Sequence, residues 1–249
     1  MLTATSFLTY PMTLILCLTP FFLLERFFSA PVKPRFIHYW WPRLIFLIFI
    51  KSVVAALALT FPFTADDFTN GPLTSALMLK KYWSEISPVF SWVCAFLIFT
   101  FIHYWTHVAR HRLPLLWRWC HQMHHSSERF EASMSLYAHP FEAVLLRVAF
   151  AATAFFTGLN VGIFSALGLF YLIINGWMHS NILSPRWLGY IVFRPEQHSH
   201  HHAGGEYNFG VIPLWDILFG TFQNPQHHAE RVGFKSDSDK KFFDYLLGR

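Results

Sequence analysis

The chain of 249 residues is 54% hydrophobic and only 13% charged, with 29 Phe and 10 Trp, the balance of a membrane protein. Its net charge of +5 is scattered through loops and tail without a basic stripe, which argues against a nucleic-acid partner; Cys17, Cys94 and Cys120 form no CxxC pair, so neither a disulfide framework nor a thiolate zinc site is suggested. Histidine is the anomaly, with 15 copies against 14 Asp and Glu together.

Residues 5–24, TSFLTYPMTLILCLTPFFLL, run without a charge, long enough to cross a hydrocarbon core of about 30 Å as a helix. No basic region precedes this run and no A-x-A site follows it, so it is expected to stay in the mature protein. Residues 44–63 give a second span, whose Lys51 must snorkel or face the bundle. Residues 86–106 give a third, ending FIHYWT. From 143 to 178 the chain is apolar apart from Arg147, roughly 54 Å as one helix and too long for one crossing. TGLNVG at 157–162 is expected to break it into a hairpin. Trp40, Trp41, Trp83 and Trp105 flank these spans and read as an interfacial aromatic belt.

The first loop carries Arg26, Lys33, Arg35 and Arg43, and the stretch after the third span carries Arg110, Arg112, Arg118 and Arg129. The loop between the second and third spans has only Lys80 and Lys81. This asymmetry predicts an outside N-terminus, with the first loop, the histidine-bearing segments and the C-terminal tail in the cytoplasm.

On that side His107 and His111 stand four residues apart, on one helix face, and His121, His124 and His125 follow at i, i+3 and i+4. His198, His201 and His202 repeat the same H-x-x-H-H spacing. Two copies of one ligand pattern on one membrane face imply a shared site. Unliganded, such imidazoles would repel when protonated, and each buried neutral ring would lose roughly 1–3 kcal/mol if it found no partner. Metal ions remove both problems, and eight ligands are too many for one tetrahedral zinc but suit two metals. No Glu is followed by His three positions on, so the soluble di-iron pattern of carboxylates is missing.

HVARH, HQMHH and HSHHH resemble the three histidine boxes of the fatty acid hydroxylase (sterol desaturase) superfamily. LLWRW before the second box, YAHPFE at 137–142 and NFGVIPLWDILFGTF at 208–222 resemble that family's flanking stretches, and the likeness covers roughly residues 90–224. The chain departs from the family's first box, with Thr100 at an Asp position, His103 at an Arg position and Val108 after the first ligand. The resemblance implies a di-iron oxygenase facing the cytosol that uses O2 and two electrons to hydroxylate or desaturate a lipid. Carried over by position, it implies His107, His111, His121, His124, His125, His198, His201 and His202 as ligands, with His179 in GWMHSN as a ninth. His139 and Asp216 are expected to orient ligands, Asp216 capping local structure as an equal alternative; His103 is a further candidate ligand or orienting residue, with a satisfied structural histidine at the membrane interface as the favoured reading, and His227 and His228 are expected on the surface.

The sequence thus predicts an all-α integral membrane protein of four to five hydrophobic spans. A cytoplasmic helical cap, from 107–142 and 179–249, would hold a histidine-rich dimetal site. Residues 1–89 form the N-terminal transmembrane helices and connecting loop, 90–224 the catalytic domain and 225–249 a cytoplasmic tail. Two iron ions are the expected cofactor, with zinc able to substitute. The substrate is a lipid from the bilayer, fatty acyl, sterol or related. Electrons are expected from a separate cytochrome b5-like or ferredoxin-like donor, for which Arg112, Arg186 and Arg194 are candidate docking residues beside the plainer reading of solvated charge. The competing reading is a membrane metal-binding or transport protein without oxygenase activity, which would need polar ligands within spans that are nearly bare of acidic residues.

Overall fold

The computed structural model describes residues 4–30, 39–58, 87–157, 161–235 and 238–249. Among them the regular structure is helical, apart from one isolated antiparallel bridge between Ser29 and Ile182. Five long helices come first: α1 (Ala4–Phe28), α2 (Trp40–Ala58), α3 (Pro88–Arg112), α4 (Pro140–Thr157) and α5 (Val161–His179). Pro88 and Pro140 open their helices at the first turn, where the missing N–H leaves no ladder bond unmade. The long apolar run from 143 is interrupted between Thr157 and Val161; residues 158–160 of the expected TGLNVG break lie outside the described residues, as do Lys80, Lys81 and Trp83.

Two of the described helices, α3 and α4, are long and apolar enough to cross a membrane, with mean hydropathies of 1.6 and 1.4. Only 33% and 22% of their apolar windows are buried, so neither is the enclosed core helix of a soluble protein. Large apolar side chains also point outward from α1 (Leu16, Phe27), α2 (Ile45, Phe49) and α4 (Val148), a wider apolar exterior than water tolerates well.

The inner packing rests on small residues. Ala95 of α3 meets Ala149 of α4, which lets Phe99 stack on Phe150 at 4.4 Å between centroids. At Gly176 of α5 an added Cβ would lie 2.7 Å from Leu18 and 3.0 Å from Phe21, so glycine permits the crossing of α1 over α5. Glu25 ties the end of α1 to the polar segments, its Oε1 accepting the Ala132 N–H at 2.8 Å and the Asn181 N–H at 2.7 Å.

Those polar segments are short. Three consecutive helical pieces, Pro114–Leu116, a π-helical turn Trp117–His121 and Gln122–His125, follow α3, and a 3-10 turn spans Ala132–Leu136. After α5 come a 3-10 turn at Arg186–Tyr190, α6 (Pro195–His202), α7 (Pro213–Phe219) and α8 (Phe242–Leu246). Gly220 ends α7 at φ 75, a left-handed turn where a Cβ would be strained.

Three sequence expectations are corrected here. Trp40 is a core residue rather than part of an interfacial belt: it is 3% exposed, stacks on Tyr137 and donates to the Ser133 hydroxyl at 3.0 Å, whereas Trp41 and Trp105 are exposed. Arg194 is buried, bonded to Glu196, Ser184, Asn224 and Pro225, so it is closed to a docking partner; Arg112 and Arg186 are exposed. His228 is buried and bonds the Ile182 carbonyl at 3.0 Å, because the segment after 224 packs back onto the molecule; His227 is exposed. Within that segment Phe242 and Tyr245 join Trp40, Leu44, Leu47, Met123 and Tyr137 in one apolar cluster.

Candidate metal centre

α3 continues past the expected end of its span to Arg112, so His107 and His111 lie one turn apart on its last turns. The π-helical turn delivers His121, and the helix behind it brings His124 and His125; α6 carries His198, His201 and His202, and His179 ends α5. All nine meet, sorted into two groups whose potential ligand atoms lie within 4.8 Å of one another. His107, His111, His121, His125 and His201 form one group, and His124, His179, His198 and His202 the other.

The sorting crosses the boxes. In both H-x-x-H-H boxes the first and last histidines, one helical turn apart, face one group, and the middle one faces the other. His121 and His125 are thus completed by His201, and His198 and His202 by His124. The rings of His125 and His202 stack at 4.2 Å where the groups meet.

Protonation follows from the backbone. His107 Nδ1 lies 2.6 Å from the Phe209 carbonyl, His124 Nδ1 2.9 Å from Tyr137 O, His179 Nδ1 2.8 Å from Asn175 O and His201 Nδ1 2.8 Å from Tyr207 O. A carbonyl only accepts, so each Nδ1 carries the proton and each neutral ring offers a bare lone pair at Nε2. Burial holds the rings neutral, His121 pulled down to about 4 and His201 to about 3, with His125, His198 and His202 well below the usual imidazole value. Yet His107 Nε2 sits 3.1 Å from His201 Nε2, and His124 Nε2 3.1 Å from His179 Nε2. Two lone pairs that close repel, and no hydrogen bond can join them. Ligands at right angles around an ion at about 2.1 Å stand about 3.0 Å apart, so a cation between them fits where water does not. His111 Nε2, buried in the first group without any partner, fits the same role.

Glu142 adds to the candidate orienting residues, and of the two readings of Asp216 the local-capping one matches its contacts. Glu142 Oε1 accepts His121 Nδ1 at 3.1 Å and pairs with the Arg110 guanidinium, so an acidic side chain near the start of α4 fixes one imidazole and is itself neutralised. Sequence reasoning passed over Glu142 in YAHPFE; a lone carboxylate entering an apolar run was the available signal. Asp216 bonds no histidine. Its carboxylate accepts the N–H groups of Phe209 and Gly210, both at 2.8 Å, and the Thr221 hydroxyl at 2.7 Å, and so sets the turn whose Phe209 carbonyl holds His107. Burial pushes Asp216 up to about 6 against the pull of those donors. His139 bonds the Phe141 N–H and the Leu246 carbonyl, capping α4 and pinning α8, away from both histidine groups. His103 lies outside the groups, bonded to the Tyr171 hydroxyl at 3.3 Å, with Nδ1 buried and unpartnered. Thr100, at the family's Asp position, accepts the Trp215 indole N–H at 3.0 Å and so ties α7 to α3.

Two voids adjoin the histidines. One of about 30 Å³ lies among them, and one of about 100 Å³ reaches toward α1 and α2. They share His103, Arg110, His124, Glu142, Tyr171 and Asn175 as a common wall.

A model of the fatty acid hydroxylase family matches residues 92–221. Human alkylglycerol monooxygenase is 30% identical over 141 residues, 53% of this chain and 31% of that protein. The putative Delta(7)-sterol-C5(6)-desaturase 2 of Arabidopsis thaliana is 25% identical over 187 residues, 68% of this chain and 63% of its own. The very-long-chain aldehyde decarbonylase GL1-4 of Oryza sativa subsp. indica is 32% identical over 154 residues, 56% of this chain and 24% of its own. The chain therefore spans 31% of the monooxygenase and 24% of the decarbonylase. No solved structure matches it significantly.

Proposed function

The chain belongs to the fatty acid hydroxylase family, and from that premise we propose that it is a membrane-bound lipid oxygenase whose nine clustered histidines hold two iron ions. The observation that carries this reading is the pairing of bare Nε2 lone pairs at 3.1 Å, once in each group. The family is iron-dependent; imidazole also suits zinc, which can replace iron after overexpression. When bound, iron supplies the activation of O2 that breaks an unactivated C–H bond, giving an alcohol or an alkene with two electrons from a separate cytochrome b5-like or ferredoxin-like protein.

The chain's own residues supply the rest. Backbone carbonyls and Glu142 aim the imidazoles, and burial keeps them neutral and ready to ligate. The cavity bounded by Leu14, Leu146, Ala149 and Leu172 admits an apolar chain between the helices and leads it to the wall shared with the histidine void. In this reading α1, α2, α3 and the α4–α5 hairpin are the four to five spans and residues 90–224 the catalytic unit. The histidines then face the cytoplasm, where exposed Arg112 and Arg186 are open to an acidic donor. A metal carrier would need ligands strung along the spans, whereas these nine gather at helix ends and in short segments.

The test is elemental analysis joined to oxygen uptake. Folded protein should carry about two metal equivalents, and with a reductant and membrane lipid extract it should consume O2. One metal or none overturns the dimetal centre, and two irons without lipid-dependent O2 uptake overturn the oxygenase.

A further inference from the structure

Lys51 is a charge within an otherwise apolar stretch of α2, and it does not reach for solvent. Its side chain is 8% exposed and turns inward, Nζ donating to the Leu136 carbonyl at 2.7 Å. Among the described residues no carboxylate comes within ion-pair distance of it. An ammonium taken out of water is costly unless an anion meets it.

The same side chain lines the cavity of about 100 Å³ that leads to the histidines. Three fixed charges line it, Lys51, Arg110 and Glu142, and Arg110 and Glu142 neutralise each other. One positive charge is left over beside an apolar passage, on an ammonium with three N–H bonds of which the Leu136 carbonyl takes one. The position is tied to the centre: Lys51 grips the Leu136 carbonyl, and the next carbonyl, that of Tyr137, holds His124 Nδ1.

We propose that Lys51 binds an anionic oxygen group of the lipid, a carboxylate or a phosphate, while the lipid's chain occupies the apolar part of the cavity. This rests on the oxygenase reading and narrows its substrate to a lipid with an acidic end. One feature of the same wall points the other way: Glu142 Oε2 is buried without a partner and would suit a hydroxyl donor, so an alcohol is the competing ligand.

The experiment measures binding of radiolabelled palmitic acid to metal-loaded protein in detergent. Unlabelled palmitic acid, hexadecyl phosphate and hexadecanol compete at matched micellar mole fraction. At least one acid should compete about tenfold better than hexadecanol, and the better acid names the anion's chemistry. Lys51→Met should erase that preference, whereas Lys51→Arg should keep it within about threefold. Leu145→Phe, which narrows the cavity without touching the Leu136 carbonyl, should weaken all three ligands. If Lys51→Met does not fold, the wild-type preference and Leu145→Phe decide. Equal competition by hexadecanol in the wild type, an acid preference that survives in Lys51→Met, or no effect of Leu145→Phe overturns the assignment. Metal content and O2 uptake, measured on the same preparation, report on the oxygenase reading separately.

Discussion

A histidine's partner at Nδ1 decides what its Nε2 can do, and here four of those partners are main-chain carbonyls. The residue types and spacing of eight of the nine clustered histidines were legible in the sequence because three boxes in an apolar chain stand out, whereas His179, outside the boxes, came only from the family resemblance. The division into two groups was not legible, since spacing shows which histidines share a helix face but not what lies across from it. The division predicts unequal outcomes. His179→Ala leaves three imidazoles in its group and His111→Ala leaves four in the other, so after brief chelation the first variant should retain less metal per chain than the second. Elemental analysis of both variants checks this, and the reverse order would mean the groups are misassigned. Glu142→Gln keeps the shape but removes the charge facing His121 and Arg110. It should weaken metal binding by about 10–100-fold, read as faster metal loss to a chelator, with activity restored by excess metal.

Long elements were legible and short ones were not. The described helices α1, α2, α4 and α5 all overlap the apolar runs, because a membrane-length stretch of Leu, Ile and Phe leaves few alternatives. α3 outran its predicted end by six residues, from 106 to 112, since HVARHR suits a helix whose end leaves the apolar layer. The π-helical turn, α7 and α8 carry too few residues for a periodicity to show, and α8 gains its place by packing Phe242 and Tyr245 against α2, Met123 and Tyr137 and by the bond from His139 to the Leu246 carbonyl. The arrangement of elements sets a topology test. In a variant whose three native cysteines are Ser, Gln226→Cys, exposed beside the histidine segments, should react in intact cells only with permeant reagents. Asn160→Cys, in the expected hairpin turn and outside the described residues, should react from outside. Labelling of Gln226→Cys by an impermeant reagent would reverse the proposed orientation and remove the donor's access.

Across the whole molecule the centre joins parts far apart in the chain, from α3 to α6 and, through Glu142, α4. Later segments close over it: the Gly233 N–H bonds the His202 carbonyl at 3.0 Å and the Ser238 hydroxyl the Ser126 carbonyl at 2.7 Å. Ions held between these opposed lone pairs, as proposed above, would act as long-range cross-links, and removing them would leave repulsion at the point where the segments converge. At free metal near 100 times Kd each ion adds about 2.7 kcal/mol, so two should raise Tm by about 10–20 °C. Thermal unfolding in detergent before and after chelation checks this; an unchanged Tm would mean that the ions do not hold the fold.

The use of carbonyls as orienting partners bears on how such a centre can change over generations. A carbonyl is present whatever side chain its residue carries, so Tyr137, Asn175, Tyr207 and Phe209 can be replaced without withdrawing the acceptor, provided the local packing survives. Glu142 has no such freedom, because its role belongs to the side chain itself. Mutational drift is thus more open around those four imidazoles than at Glu142, and relatives could keep the same imidazole geometry there inside different surroundings.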